Sequence, residues 1–380
     1  MKKTNGFGLL GIIIIMVITA IVTSIATGVI MLNSSSEIAK ETFSEITDDE
    51  ELMNFIEIYD TLVSRYYDEI DKEGMLKAAE EGMLDFLGDK YTTYLDDAEY
   101  DSILNELSAT YNGIGVTIEN NKIIDITDNS PAEQAGLEKN DIILKINGID
   151  VTQMDGNKIG NLIKNHVGII ILVIDRNGVE LDFNIQKADL INIAIKHEVI
   201  ENTQIGYLQI KKFSENLDKQ VENALTDLEN NNIKSLIIDV RDNVGGYLSA
   251  AEDTAELFLN SGKIIYSLET SNNTITYKDE TKEKRTYPIA VLINNNSASA
   301  AEVLAAALKE SYDAFLIGTK SYGKGKVQQI VGDSAKYTFA KWLTPSGNCI
   351  DGIGINPDYT ISNNVDGIDY QLSKAIELLS

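Results

Sequence analysis

Apolar residues follow three different rhythms along this chain, and each rhythm predicts a different architecture. Residues 4–36 carry no charge, and within them residues 9–32 read LLGIIIIMVITAIVTSIATGVIML, apolar apart from small Thr, Ser and Gly. At about 1.5 Å per helical residue such a run spans roughly the 30 Å hydrocarbon core of a bilayer. It predicts one membrane-spanning helix. Lys2 and Lys3 precede the run and acidic residues follow it, so residues 1–8 are expected to form a cytoplasmic tail and everything beyond the helix to be exported. A cleaved signal peptide, with Ser24-Ile25-Ala26 as the cleavage site, is the competing expectation. Signal-peptide apolar cores are usually only about 7–15 residues long. Both expectations place the rest of the chain outside the cytoplasm.

Residues 33–47 are polar and read as a linker. Over residues 48–108 the period becomes helical: Leu52, Phe55, Ile56, Tyr59, Leu62 and Val63 recur at three- and four-residue spacing, behind Asp48 and Asp49 as cap and negative first turn. Further helices are predicted over residues 74–87 and 96–107. Residues 109–188 change to short β runs at 115–119, 122–127, 141–146, 169–175 and 181–186. The turn pairs Asn120-Asn121, Asn147-Gly148 and Asn177-Gly178 separate them. The third rhythm, over residues 189–380, alternates apolar strands with amphipathic helices. Strands are expected at Ile205–Ile210, 235–240, 263–267, Ile289–Ile293 and Phe315–Gly318, and helices at Leu217–Asn230, 249–259 and 300–309. That pattern predicts an α/β domain around a largely buried sheet, with its active site in loops at the carboxyl ends of strands.

Charge and composition narrow the chemistry. With 59 Asp+Glu against 32 Lys+Arg the chain of 380 residues carries a formal charge of −27, which repels a phosphate backbone and excludes nucleic acid as a main partner. The single cysteine, Cys349, excludes an internal disulfide framework, a four-cysteine zinc site and a CxxC redox pair. Two histidines, His166 and His197, leave little from which to build an all-protein metal site, so neither metal nor other cofactor is expected. A Ser-His-Asp triad using His197 with Asp239 or Asp242 is conceivable, but neither histidine lies in a motif and both read as packing or surface residues.

Three loops after predicted strands hold the unusual residues. In Asp239-Val240-Arg241-Asp242-Asn243-Val244-Gly245-Gly246 the paired glycines can turn backbone N–H groups into a cleft, as an oxyanion hole requires, or can form an ordinary turn. In the second loop, Asn294 to Glu302, Ser299 sits at a strand-to-helix turn. Its hydroxyl is exposed there with the Ala300 N–H beside it, although serine at such a place also serves as a helix cap. The third, Gly318 to Gln328, nearly spells the phosphate-binding G-x-x-x-x-G-K-[ST], but Gly325 stands where the hydroxyl should be.

Within the β-rich module, YNGIGVTI at 111–118 and SPAEQAGLEKNDIILKINGIDV at 130–151 closely resemble a PDZ domain. Its carboxylate-binding loop corresponds to Gly113, Ile114, Gly115 and Val116, and the strand edge beyond would accept a peptide as an added strand. The order DVRDNVGG, SASAAE, SYGKGKVQQ after such a module, with TPSGNCIDGIGINPDYTI near the end, resembles the carboxyl-terminal processing peptidases, a family of Ser-Lys proteases. The resemblance covers nearly everything from residue 48 onward. It implies Ser299 as nucleophile, Lys324 as general base and Gln328 as the residue that positions the lysine. The oxyanion hole would be Ala300 with Gly246, or with Gly245. It also implies substrates with exposed carboxyl-terminal tails, gating by the PDZ domain and a homodimer through the terminal helices. Ala301 and Val244 depart from the family's usual serine and proline without removing a catalytic group. The expected protein is an α/β peptidase core (189–380) with an inserted PDZ-like domain (109–188), an amino-terminal helical region (48–108) and one transmembrane anchor. Its different-class competitor is a non-catalytic, membrane-tethered PDZ scaffold on a peptidase fold.

Overall fold

The computed structural model describes residues 49–281, 285–362 and 367–380. The predicted cytoplasmic tail, the membrane-spanning run at 9–32 and the linker lie outside the described residues. Among the described residues no helix is long and apolar enough to cross a membrane. The described residues divide into two units at the boundary between Gly82 and Met83. In the first, the helix Glu50–Arg65 starts where the Asp49 carboxylate accepts the N–H groups of Glu51 and Leu52 at 3.1 and 2.9 Å. That meets two of the donors every helix start leaves unpaired. Leu52, Phe55, Ile56 and Ile58 of this helix are exposed.

In the second unit the helix Asp97–Leu107 carries a reciprocal cap. Asp96 accepts the Glu99 N–H at 2.8 Å and the Glu99 carboxylate accepts the Asp96 N–H at 3.1 Å. The β-rich module follows as an antiparallel sheet in the order Val116–Glu119, Lys122–Ile126, Ile142–Ile146, Ile169–Arg176, Val179–Gln186. Ile170, Leu172 and Ile174 point inward from one strand, the period of two that packs one face of a sheet, and meet Ile123, Ile143 and Ile159. Val116–Glu119 is an edge strand, flanked by the helix Gly156–Asn165.

The α/β core has six strands in the order Ile195–Val199, Ile205–Ile210, Ser235–Asp239, Ile289–Ile293, Phe315–Gly318, Tyr359–Thr360, parallel except for the first pair. Every residue of Ser235–Asp239 and Ile289–Ile293 is buried, as parallel strands covered on both faces must be. Leu236, Ile238, Val291 and Ile293 face the helices Leu217–Asn230, Leu248–Glu256 and Ala300–Tyr312, while Ile237, Ala290 and Leu292 face the last helix, Tyr370–Leu379.

One expectation fails. The strand foreseen at 263–267 does not join the parallel sheet. As Ile264–Glu269 it belongs to a second, antiparallel sheet with Thr93–Tyr94, Ala335–Leu343 and Thr274–Lys278, and Lys326–Val331 pairs with Ala335–Leu343. Local apolar rhythm marks a strand but does not say which neighbour it finds. This second sheet carries the lysine-bearing loop.

Candidate active site

The turn from the strand Ile289–Ile293 into the helix Ala300–Tyr312 is held by its own polar groups. Ser297 is fully buried, accepts the Asn294 N–H at 2.9 Å and donates to the Val240 carbonyl at 2.7 Å. Ser299, at the helix start, has φ +56° and ψ −120°, a strained conformation for a non-glycine residue that is typical of functional turns. A single side chain therefore stands proud of a short turn, with a helix amino terminus directly behind it.

Beside it runs the loop that follows Ser235–Asp239. Asn243, fully buried, ties the two together: its carbonyl accepts the Ala298 N–H at 2.9 Å, its Nδ2 donates to the Ile210 carbonyl at 2.8 Å, and its Oδ1 accepts the Gly245 N–H at 2.8 Å. Gly245 approaches so closely that a Cβ there would lie 2.9 Å from Ser299 Cβ. At Gly246 the same atom would fall 2.2 Å from the Phe213 carbonyl oxygen, so both places require glycine. The Phe213 backbone takes up the Gly245 carbonyl and the Tyr247 N–H, at 3.0 and 2.7 Å. The N–H groups of Gly246 and Ala300 are left without an acceptor among the described residues, whereas that of Gly245 is engaged.

The lysine-bearing loop reaches this turn through Glu302, a carboxylate only 1% exposed in the first turn of the helix. Its Oε2 accepts the N–H groups of Ser299 and Lys324, both at 2.9 Å, and its Oε1 accepts Gly323 N–H at 2.7 Å and Ser321 Oγ at 2.5 Å. The backbone nitrogens of Ser299 and Lys324 thus lie within twice 2.9 Å of each other through one oxygen atom. On its other side the Lys324 carbonyl accepts the Trp342 indole N–H at 2.9 Å. Burial pushes the Lys324 ammonium below its ordinary value, the nearby Lys336 adds to that push and Glu302 opposes it. The Tyr91 ring covers the amine, 5.3 Å from Nζ.

Gln328 lies on the strand Lys326–Val331, which shifts register against its partner between Val327 and Gln328. Its Nε2 donates to Thr338 Oγ1 at 3.2 Å. In this arrangement no hydrogen bond joins the side chains of Lys324 and Gln328. Glu302 has a role that spacing alone did not assign. The signal was present, since it stands three residues after Ser299, where an acidic side chain reaches back to the helix start.

The rival constellations do not assemble. His197 pairs with Asp227, 3.1 Å away, while Asp239 is bound by Arg241 and Tyr207. Asp242 is held by the amides of Asn294 and Asn296, which keep its carboxyl below the usual range. The loop that starts at Gly318 runs directly into the strand Lys326–Val331, not into a helix, so it lacks the helix start a phosphate site needs. In the β-rich module, Gly113, Ile114, Gly115 and Val116 line a groove of about 370 Å³ between the edge strand and the helix Gly156–Asn165, with Ile163 and Lys164 opposite.

Residues 204–361 match Peptidase family S41, residues 122–176 a PDZ domain, and residues 16–99 the Activating protease CtpB N-terminal domain. The chain is 36% identical over 354 residues to the carboxy-terminal processing protease CtpA of Bacillus subtilis (strain 168), covering 90% of this chain and 75% of that one. It is 36% identical over 317 residues to CtpB of the same organism, covering 80% of this chain and 66% of the other. Among solved structures, the photosystem II D1 C-terminal processing protease shares the fold, with TM-score 0.50 and 24% identity over 85% of this chain and 90% of that one. With a PDZ groove, a peptidase core and relatives at this level over most of its length, the chain belongs to the carboxyl-terminal processing peptidases, a family of serine-type endopeptidases.

Proposed function

We propose that this protein is a membrane-anchored endopeptidase working outside the cytoplasm, which engages the carboxyl-terminal tail of its substrate in the PDZ groove and cleaves through a Ser299 acyl-enzyme with Lys324 as base. The observation that carries the reading is the buried Glu302 carboxylate, which ties the Ser299 turn and the lowered-pKa Lys324 to one point. Neutral Lys324 takes the Ser299 hydroxyl proton as the oxygen attacks the peptide carbonyl. The N–H groups of Ala300 and Gly246 stabilise the oxyanion. The lysine ammonium then protonates the leaving amine, and once neutral again it activates the water that releases the acyl group. The side chains of Lys324 and Gln328 must swing together for this, a local movement of the kind that often completes a catalytic site.

The apolar run at 9–32, flanked by lysines on one side and acidic residues on the other, supports the anchor and the outward orientation. Exposed Leu52, Phe55, Ile56 and Ile58 support a homodimer through the amino-terminal helices.

The tail-capture step is tested with one reporter in two forms, ending in a free carboxylate or in a carboxamide. The amide form is expected to raise KM roughly tenfold, the loss of about 1.4 kcal/mol of charge-assisted hydrogen bonding, with kcat unchanged. Equal KM for the two forms would exclude capture of a terminal carboxylate.

A further inference from the structure

Gln328 is the end of a chain of hydrogen bonds. Its Nε2 donates to Thr338 Oγ1 at 3.2 Å, and Thr338 Oγ1 donates to Asp89 Oδ2 at 2.5 Å. Asp89 also accepts Thr92 Oγ1 at 3.0 Å and Lys326 Nζ at 2.8 Å, and the Thr338 N–H returns to Thr92 Oγ1 at 3.1 Å. The segment is fixed on the second sheet by the pairs Thr93 with Lys336 and Tyr94 with Ala335, and by Leu95 N–H on the Ser334 carbonyl at 2.6 Å.

The direction of each bond in this chain follows from its far end. An ionised carboxylate only accepts, so Thr338 spends its one hydroxyl proton on Asp89 and can meet Gln328 only as an acceptor. The amide must therefore present Nε2 to Thr338, which leaves Oε1 as the end open to Lys324. Among the described residues Oε1 accepts no hydrogen bond. Asp89 keeps its charge throughout any practical assay range: burial works against it, but the bonds from Lys326, Thr338 and Thr92 and the Lys326 charge hold its carboxyl at about 2.

We infer that Asp89 is a positioning residue of the peptidase, fixing through Thr338 which end of the Gln328 amide is offered to Lys324. It rests on the reading of Ser299, Lys324 and Gln328 given above. An acceptor offered to the neutral lysine binds one of its N–H groups and leaves the lone pair directed at Ser299. A donor offered in its place would occupy the lone pair itself and quench the base. With asparagine at position 89 the amide can donate to Thr338, whose proton then turns to Gln328, and the Gln328 amide reverses.

The test is steady-state cleavage of an unfolded reporter by the full chain and its variants, with unfolding midpoints measured alongside. Asp89→Asn is expected to lower kcat about tenfold at unchanged KM, the usual scale for a residue that orients a reacting group from behind. Thr338→Val, which leaves the Asp89–Lys326 ion pair in place, should lose as much. Thr338→Ser, which keeps the hydroxyl, should recover most of it. In a Gln328→Ala background Asp89→Asn should cost nothing more, because both changes remove one interaction. An undiminished kcat in Asp89→Asn, or an equal further loss in the Gln328→Ala background, would overturn the inference while Ser299→Ala stays inactive. Cleavage surviving in Ser299→Ala would overturn the reading of the site itself, and the inference with it.

Discussion

Replacing Ser299 by alanine is expected to abolish cleavage, and replacing Lys324 by alanine to do so almost as completely. Residues that act as one unit each cost about 10⁴–10⁶-fold in kcat, and the double variant should be no worse than either single one. Additive losses would mean that the two do not serve the same step. The lysine also sets the pH dependence. Only the neutral amine can accept the serine proton, and burial with Lys336 nearby lowers the pKa of Lys324. The kcat/KM profile should therefore rise with pH, with its midpoint below 10.5, the ordinary lysine value. Lys336→Met should move that midpoint upward, since it removes a like charge. The same shift has a stability sign. Folded Lys324 holds its proton less tightly than the unfolded chain does, so folding loses stability wherever the lysine must be charged. That loss is complete below the folded value and fades as pH rises through the unfolded value of about 10.5. Lys324→Met should consequently be inactive yet melt roughly 1–3 °C higher at neutral pH, with the gain vanishing in alkali. A lower melting point at neutral pH would contradict the buried, uncharged lysine on which the mechanism depends.

Glu302→Ala carries the second large effect. Four donors, the backbone N–H groups of Ser299, Gly323 and Lys324 and the Ser321 hydroxyl, converge on this carboxylate, only 1% exposed, and would lose their acceptor. Buried donors left unsatisfied cost about 1–3 kcal/mol each before relaxation, so a net loss of about 3–5 kcal/mol is expected from denaturant unfolding. Glu302→Gln keeps the volume and one acceptor oxygen but brings an NH₂ group against donors, and should fall between the parent and alanine. Cleavage measured well below each variant's unfolding transition should still be severely reduced, because the Ser299 turn and the Lys324 loop no longer share an anchor. A Glu302→Ala protein that unfolds at the parent's midpoint would show that other contacts hold the two loops in register.

The two residues proposed to carry the chemistry lie in short motifs whose signals are local. Ser299 sits at a strand-to-helix turn between small residues and Lys324 between two glycines, and it is the family resemblance of those motifs that points to their roles. The helix Leu217–Asn230 and the strands Ile205–Ile210, Ile289–Ile293 and Phe315–Gly318 were legible for the same reason, and their bounds match the expected ones. The second sheet was not legible. Thr93–Tyr94 pairs with residues more than 230 positions away, and Ile264–Glu269 pairs with the strand Ala335–Leu343, contacts that no periodicity encodes. Asp89 was invisible for that reason: in sequence it lies between the helices predicted at 74–87 and 96–107, and only long-range pairing brings it to Thr338. Gly245 is a subtler case. Adjacent glycines left two candidate N–H groups, and the choice depends on Asn243, whose side chain takes one of them.

The helix Ala300–Tyr312 has a further consequence, because every residue from Ala300 to Leu308 is buried. Amide hydrogens inside such a helix exchange with solvent only when the whole unit unfolds, so those of Leu304 to Leu308 should be among the slowest in the protein. The Ala300 amide hydrogen, one turn away, has no acceptor among the described residues and can exchange without breaking the helix. A single hydrogen-exchange experiment would therefore read two quantities from one element: global stability from its middle, and occupancy of the site from its first residue.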